Sequence, residues 1–136
     1  PKSNGLSRRV WRTSDYGKSW KVVFEAPYAD NVHIHVLSID PHTGDLWVSN
    51  GDTGYNAISV SEDRGDTWRT VRQGVQPTSV VFGDDYIYWG EDGNRGAITQ
   101  YNRETGEFKE DLTASEEGNY GGSVYALALG RSGLGR

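Results

Sequence analysis

The stretch Ser61-Glu62-Asp63-Arg64-Gly65-Asp66-Thr67-Trp68 decides the fold, because its pattern occurs twice in the chain. The other copy is Thr13-Ser14-Asp15-Tyr16-Gly17-Lys18-Ser19-Trp20, and 48 residues separate both the aspartates and the tryptophans of the two copies. We call residues 13–20 the first turn repeat and residues 61–68 the second turn repeat. A repeat at this period indicates repeated supersecondary units.

Each shared position of the repeat has a physical role in a tight hairpin. The aspartate can accept hydrogen bonds from backbone N–H groups two or three residues ahead, and the glycine supplies a positive φ. The hydroxyls satisfy further backbone groups, while the tryptophan opens the outgoing strand and offers an apolar face to a neighbouring unit. We therefore predict that the motif is structural rather than catalytic. Its structural residues are Asp15, Gly17, Trp20, Asp63, Gly65 and Trp68.

Composition favours a soluble all-β protein. The 136 residues suffice for one compact domain, and the 18 glycines and five tryptophans favour a fold rich in turns. No apolar run approaches the roughly 18 residues that span a bilayer. The net charge of −5 argues against a nucleic-acid partner, and the absence of cysteine excludes disulfides and thiolate metal sites.

Short β-forming segments alternate with turn clusters along the chain. Two strands flank the first turn repeat, two groups of four follow, and residues 123–129 are predicted to begin a further group. Four antiparallel strands in 40 to 48 residues is the plan of a β-propeller blade. The predicted divisions are a blade end at 6–26, blades at 30–74 and 77–113, and a first strand of another blade at 122–130.

This plan gives about three blades, incomplete at both ends, whereas propellers normally close with four or more. We therefore expect the remaining blades to come from the same, longer chain or from symmetry-related subunits.

On the two turn repeats and the blade rhythm, the chain resembles the Asp-box, or bacterial neuraminidase repeat, β-propellers. That superfamily includes sialidases, other glycoside hydrolases and sortilin-type receptors, so the resemblance implies a fold more strongly than a reaction. It also implies an extracellular location or one on a cell or virion surface. In such propellers the Asp boxes lie on one face, and ligands bind on the opposite face.

The resemblance places five loops on the ligand face: residues 27–31, 51–56, 73–77, 90–96 and 116–122. Amides, carboxylates and aromatic rings in these loops are the groups that bind sugars, although polar residues fill most surface loops. The candidate ligand-binding residues are His33, His35, Asp52, Tyr55, Glu91, Asp92, Arg95 and Tyr120.

His33 and His35 form the most specific pattern among these candidates, because the alternation of side chains along a strand places both imidazoles on one face. The rings could contact a ligand, or they could be packed and hydrogen-bonded in the interior. Two histidines alone do not define a metal site, so we predict no metal. Asp52 or Glu91 could complete a site only if the fold brings them together.

The sequence predicts recognition of a glycan or another surface ligand, without a cofactor. One alternative is a sialidase-like glycoside hydrolase with part of its site outside these residues. Its chemistry would need an arginine cluster, a tyrosine nucleophile and carboxylates, and no such catalytic set is recognisable. The other alternative is a structural or adhesion component of a larger surface assembly.

Overall fold

The computed structural model describes residues 8–27, 32–52, 54–93, 97–112 and 123–130, which form ten β-strands and almost no helix. The predicted all-β class is therefore confirmed. The strands are β1 (Arg9–Arg12), β2 (Lys21–Glu25), β3 (His33–Ile39), β4 (Leu46–Gly51), β5 (Ala57–Ser61), β6 (Arg69–Gln73), β7 (Pro77–Phe82), β8 (Tyr86–Glu91), β9 (Ile98–Asn102) and β10 (Phe108–Leu112).

The strands form three antiparallel sheets in which neighbouring strands follow chain order. β1 pairs with β2, β3 to β6 form a four-stranded sheet, and β7 to β10 form another. This is the grouping of two, four and four strands that the sequence predicts. Within the described part of the chain no sheet closes on itself, and the propeller stays a prediction.

The strands that leave the two turn repeats begin one residue later than the sequence suggests. The indole N–H of Trp20 donates to Gly17 O, and that of Trp68 donates to Gly65 O. Each tryptophan is therefore bound back onto its own turn, and the ladder starts at the next residue, Lys21 or Arg69.

The prediction of a further strand at 122–130 is wrong for residues 123–130, and residue 122 lies outside the described ranges. Val124 N donates to Glu91 O at 3.0 Å, and Ser79 Oγ donates to Val124 O at 3.4 Å. The segment thus docks against the sheet at Val124, whereas a strand requires a continued ladder of such bonds. Gly90 permits this approach, because a Cβ there would overlap Val124.

The chain divides into two compact units, Pro1–Thr78 and Ser79–Arg136. In the first unit the inner strands β4 and β5 are buried almost throughout, with Val48 and Ile58 fully inaccessible. Continuous burial along a strand means that both faces of the sheet are covered.

The second turn repeat joins the β1–β2 hairpin to this sheet. Trp68 Nε1 donates to Val23 O at 2.6 Å, and its ring meets Phe24 edge-on with centroids 5.0 Å apart. Asp66 accepts from Arg12 at 2.8 Å and from Lys21 at 3.0 Å. An aromatic contact and two ion pairs therefore hold the hairpin.

The second unit has an aromatic core. Trp89 is fully buried, and its ring contacts Phe108 at 5.9 Å and Tyr101 at 6.3 Å between centroids. Phe108, which lies 40 residues after Trp68 in the sequence, thus supplies an aromatic ring to this core. Among the residues that the structure describes, no helix is long and apolar enough to cross a membrane.

Candidate functional site

The two turn repeats have the same hydrogen-bond geometry. In the second, Asp63 accepts from Thr67 N at 2.8 Å and from Thr67 Oγ1 at 2.6 Å, and Gly65 N donates to Ser61 Oγ at 2.7 Å. The equivalent distances in the first repeat are 2.9, 2.6 and 2.8 Å. The main backbone donor to each aspartate lies four residues ahead, and the residue three ahead, Lys18 or Asp66, contributes a weaker backbone bond as predicted.

The turn needs two consecutive residues with positive φ, of which the sequence predicts only the glycine. Gly17 and Gly65 have φ of 87° and 91°, and the preceding Tyr16 and Arg64 have φ of 60° and 62°. Non-glycine residues rarely adopt this conformation, so the network around the aspartate must hold it in place.

The aspartates of the repeats are held as carboxylates by these local bonds. The Thr67 side chain, with further bonds from its backbone and from Ser61, lowers the pKa of Asp63 to about 2. The pKa of Asp15 is also lowered, chiefly by the Ser19 side chain. A carboxylate saturated by turn donors acts as an acceptor that shapes the turn.

His33, His35 and Asp52 come together at one end of the β3–β4 pair. Asp52 Oδ2 lies 3.2 Å from His33 Nδ1, Asp52 Oδ1 lies 3.8 Å from His35 Nε2, and the two imidazole centroids are 4.6 Å apart. The side chain of His35 is only 4% exposed, whereas those of His33 and Asp52 are 42% and 41% exposed. The prediction that both imidazoles share a face is confirmed, and one of them is packed. We call these three residues the His–Asp cluster.

Local backbone features place the three side chains. The register of β3 against β4 shifts between Ile34 and Val36, so His35 lies at a bulge, a feature that re-aims side chains. Asp52 has φ of 68°, and its N–H donates to Gln76 Oε1 at 2.9 Å. Gly51 lies directly against His35, where a Cβ would overlap the imidazole ring.

A separate cavity of about 190 Å³ lies beside the same β4–β5 connection, between that connection and the end of β2. Tyr55, 62% exposed, lies at this cavity, and Asn50 Nδ2 donates to Tyr55 O at 2.9 Å. We call it the Tyr55 cavity. The polar residues that line it are Glu25, Asn50, Asn56, Ser59, Thr70 and Gln73.

Glu25 brings a charge to the Tyr55 cavity. Arg9 donates to Glu25 Oε1 at 3.0 Å, and Arg8 contacts the same oxygen. The hydrogen bond from Arg9 and the charges of both arginines hold the pKa of Glu25 below its ordinary value. The carboxylate is therefore charged at neutral pH and accepts hydrogen bonds.

Glu91 and Asp92 lie in the second unit, where both have structural partners. Glu91 accepts from Trp89 Nε1 at 3.1 Å and from Thr99 Oγ1 at 3.2 Å. Asp92 accepts from Ser123 Oγ, and from Tyr125 OH at 3.3 Å. These bonds hold β8, β9 and residues 123–130 together. The other two predicted ligand-binding residues, Arg95 and Tyr120, lie outside the described residues.

Sequence reasoning placed Gly51, Gln73 and Gln76 in the predicted ligand-face loops without selecting them as ligand-binding residues, and it did not select Glu25. The hairpin around the first turn repeat pairs Arg9 with Glu25, so the charge pair could have been found from the register. The contact of Gly51 with His35 depends on the bulge, and the hydrogen bond that Asp52 N–H donates to Gln76 depends on a distant segment. No local sequence pattern indicates either contact.

No family model matches the chain, and no curated protein is similar to it. The site must therefore be interpreted from its own geometry.

Proposed function

We propose that the protein is a glycan-recognition module of the Asp-box β-propeller kind and that the Tyr55 cavity binds a sugar unit. The observation that carries the proposal is the exposed Tyr55 ring beside a cavity lined by amide, carboxylate and hydroxyl groups. Sugars present apolar ring faces that stack on aromatic side chains and hydroxyls that pair with such polar groups.

The size of the cavity favours a small ligand unit. Its volume of about 190 Å³ is below the roughly 300 Å³ at which pockets for drug-sized molecules begin. A cavity of this volume accommodates one sugar ring at the end of a glycan better than it would enclose several sugar units.

The polar groups of the Tyr55 cavity complement hydroxyls. The charged Glu25 accepts hydrogen bonds, and Gln73 can both donate and accept. Asn50 is 2% exposed and donates to Tyr55 O, so it positions the loop that carries the ring.

Three observations support the propeller part of the proposal. The two turn repeats have the same hydrogen bonds, and neighbouring strands in each sheet follow chain order. In addition, Trp68 of the second turn repeat packs against Phe24 of the preceding hairpin. These are properties expected of consecutive blades.

The test is a glycan-array screen of the intact protein, followed by titration of the best glycan against wild type, Tyr55→Asn and Tyr16→Asn. Tyr16 is a fully exposed tyrosine in the first turn repeat, and asparagine tolerates its positive φ. We expect Tyr55→Asn to weaken binding at least about tenfold, or about 1.4 kcal/mol. Tyr16→Asn should bind as wild type.

The absence of saturable glycan binding contradicts the proposal, and so does equal binding by wild type and Tyr55→Asn. Turnover of a chromogenic glycoside would favour the hydrolase alternative instead. Stable association with other subunits, without glycan binding, would favour a structural role.

A further inference from the structure

We propose that the His–Asp cluster binds a divalent first-row transition-metal ion, with Zn²⁺ as the representative ion. The site would have three protein ligands: one imidazole nitrogen each from His33 and His35, and a carboxylate oxygen of Asp52. It uses none of the side chains that line the Tyr55 cavity, so it is independent of glycan binding.

The spacing of the ligand atoms suits such an ion. Zinc lies about 2.0–2.2 Å from nitrogen and oxygen ligands, which places the ligands of a tetrahedron about 3.3–3.6 Å apart. The two imidazole–carboxylate separations are 3.2 and 3.8 Å, and all three ligand atoms lie within 4.8 Å of one another. The exposed side chains of His33 and Asp52 can rotate to close the remaining differences around a bound ion.

The chemistry of the ligands selects the class of metal. Imidazole nitrogen suits zinc, copper, iron and nickel, whereas calcium and magnesium prefer shells made of oxygen. Two imidazoles and one carboxylate therefore favour a transition metal over the alkaline-earth ions.

Backbone features hold the three side chains of the His–Asp cluster in position, which distinguishes the cluster from a chance contact between surface side chains. The bulge at His35, the positive φ of Asp52 and the Asp52 N–H bond to Gln76 all fix ligand positions. His35 packs on Gly51, whose lack of a Cβ makes room for the ring. Because these features position the ligands before metal arrives, less ordering is required on binding.

The exposure of the cluster indicates an open coordination position. His35 is buried, whereas His33 and Asp52 are each about two-fifths exposed, at 42% and 41%. Three protein ligands at the surface leave the fourth tetrahedral position for water or an exogenous ligand.

The experiment is calorimetric titration of the EDTA-treated, intact protein with ZnCl₂, repeated with Co²⁺ to record its visible absorption. The variants are His33→Ala and Asp52→Asn, both at exposed ligands, with His42→Ala as the matched control. His42 is the remaining histidine of the chain and lies in the β3–β4 turn. Circular dichroism confirms that each variant is folded before titration.

We expect one zinc per wild-type chain, at least about tenfold weaker binding by His33→Ala and Asp52→Asn, and unchanged binding by His42→Ala. Binding should weaken as the pH falls from about 7.5 to about 5.5, because only neutral imidazole binds metal. Cobalt bands that are present in wild type and lost in Asp52→Asn would assign the site.

Failure of the wild type to bind zinc would overturn the proposal and leave the cluster as a set of histidine–carboxylate contacts. Equal losses in His42→Ala and His33→Ala would also overturn it, because they would indicate non-specific binding by histidine. Glycan titration of Asp52→Asn separates the two proposals: loss of zinc with retained glycan binding supports independent sites.

Discussion

Replacement of Trp68 by alanine tests whether the second turn repeat fastens the hairpin to the sheet. Trp68 is mostly buried against Phe24, whereas its counterpart Trp20 is 57% exposed. Both indoles bond to the glycine carbonyl of their own turn, at 3.3 and 3.2 Å. Comparing the two alanine variants therefore cancels the local contribution of the turn and isolates the contact with the hairpin.

The expected loss of unfolding free energy in Trp68→Ala is the sum of three contributions. Burying most of a tryptophan removes about 150 Å² from water, which stabilises by about 3.8 kcal/mol as an upper estimate. The edge-on contact with Phe24 adds about 0.5–1.5 kcal/mol, and the bond to Val23 O adds about 1 kcal/mol. Because the burial contribution is an upper estimate, we expect Trp68→Ala to cost about 3–5 kcal/mol, in the range of core aromatic truncations, and Trp20→Ala about 1 kcal/mol.

The assay is urea unfolding, monitored by far-ultraviolet circular dichroism. The dependence of the unfolding free energy on urea concentration is compared between variants, because equal slopes show that the same surface is exposed on unfolding. Trp68→Phe serves as an intermediate variant, because it keeps a ring against Phe24 and loses the bond to Val23. Its expected cost is about 1–2 kcal/mol. If Trp68→Ala and Trp20→Ala differ by less than about 1 kcal/mol, the hairpin contact does not stabilise the fold as argued.

Three further predictions concern the turn carboxylate and two close backbone approaches. The pKa of Asp63 is about 2, so its carboxylate stabilises the fold above its ordinary pKa and that contribution is lost as the pH falls through the lower value. The melting temperature should therefore fall more steeply from about pH 5 to about pH 2 in wild type than in Asp63→Asn; parallel profiles would contradict this. Gly51→Ala should displace an imidazole of the His–Asp cluster and weaken zinc binding, while Gly54→Ala, where a Cβ meets nothing within 4 Å, should not. Gly90→Ala should release residues 123–130 and increase their amide exchange, and exchange as slow as in Gly54→Ala would refute that docking.

Local chemistry determined much of the fold. The hydroxyl–aspartate–glycine pattern at 13–20 and 61–68 forms the same turn twice, because its hydrogen bonds lie within one short stretch of chain. Strand positions followed from β-forming runs between turn clusters, and ten of the eleven predicted strands are present in the described part of the chain. The exception, residues 123–130, has an apolar pattern, but pattern alone does not supply a partner with which to continue a ladder.

The candidate sites depended more on long-range structure. Alternation along β3 correctly placed His33 and His35 on one face, since side-chain direction is a local property of a strand. That Asp52 joins them depends on the β3–β4 register and on Gln76, which approaches from another segment.

The sequence by itself determined the turns, the strands and their antiparallel order, because these arise from interactions between residues close along the chain. Only the tertiary structure decided which polar groups meet. It placed the Tyr55 ring at a cavity and assembled the His–Asp cluster. Such meetings depend on bulges, register and packing between distant segments, and one residue of register changes the face on which every side chain lies.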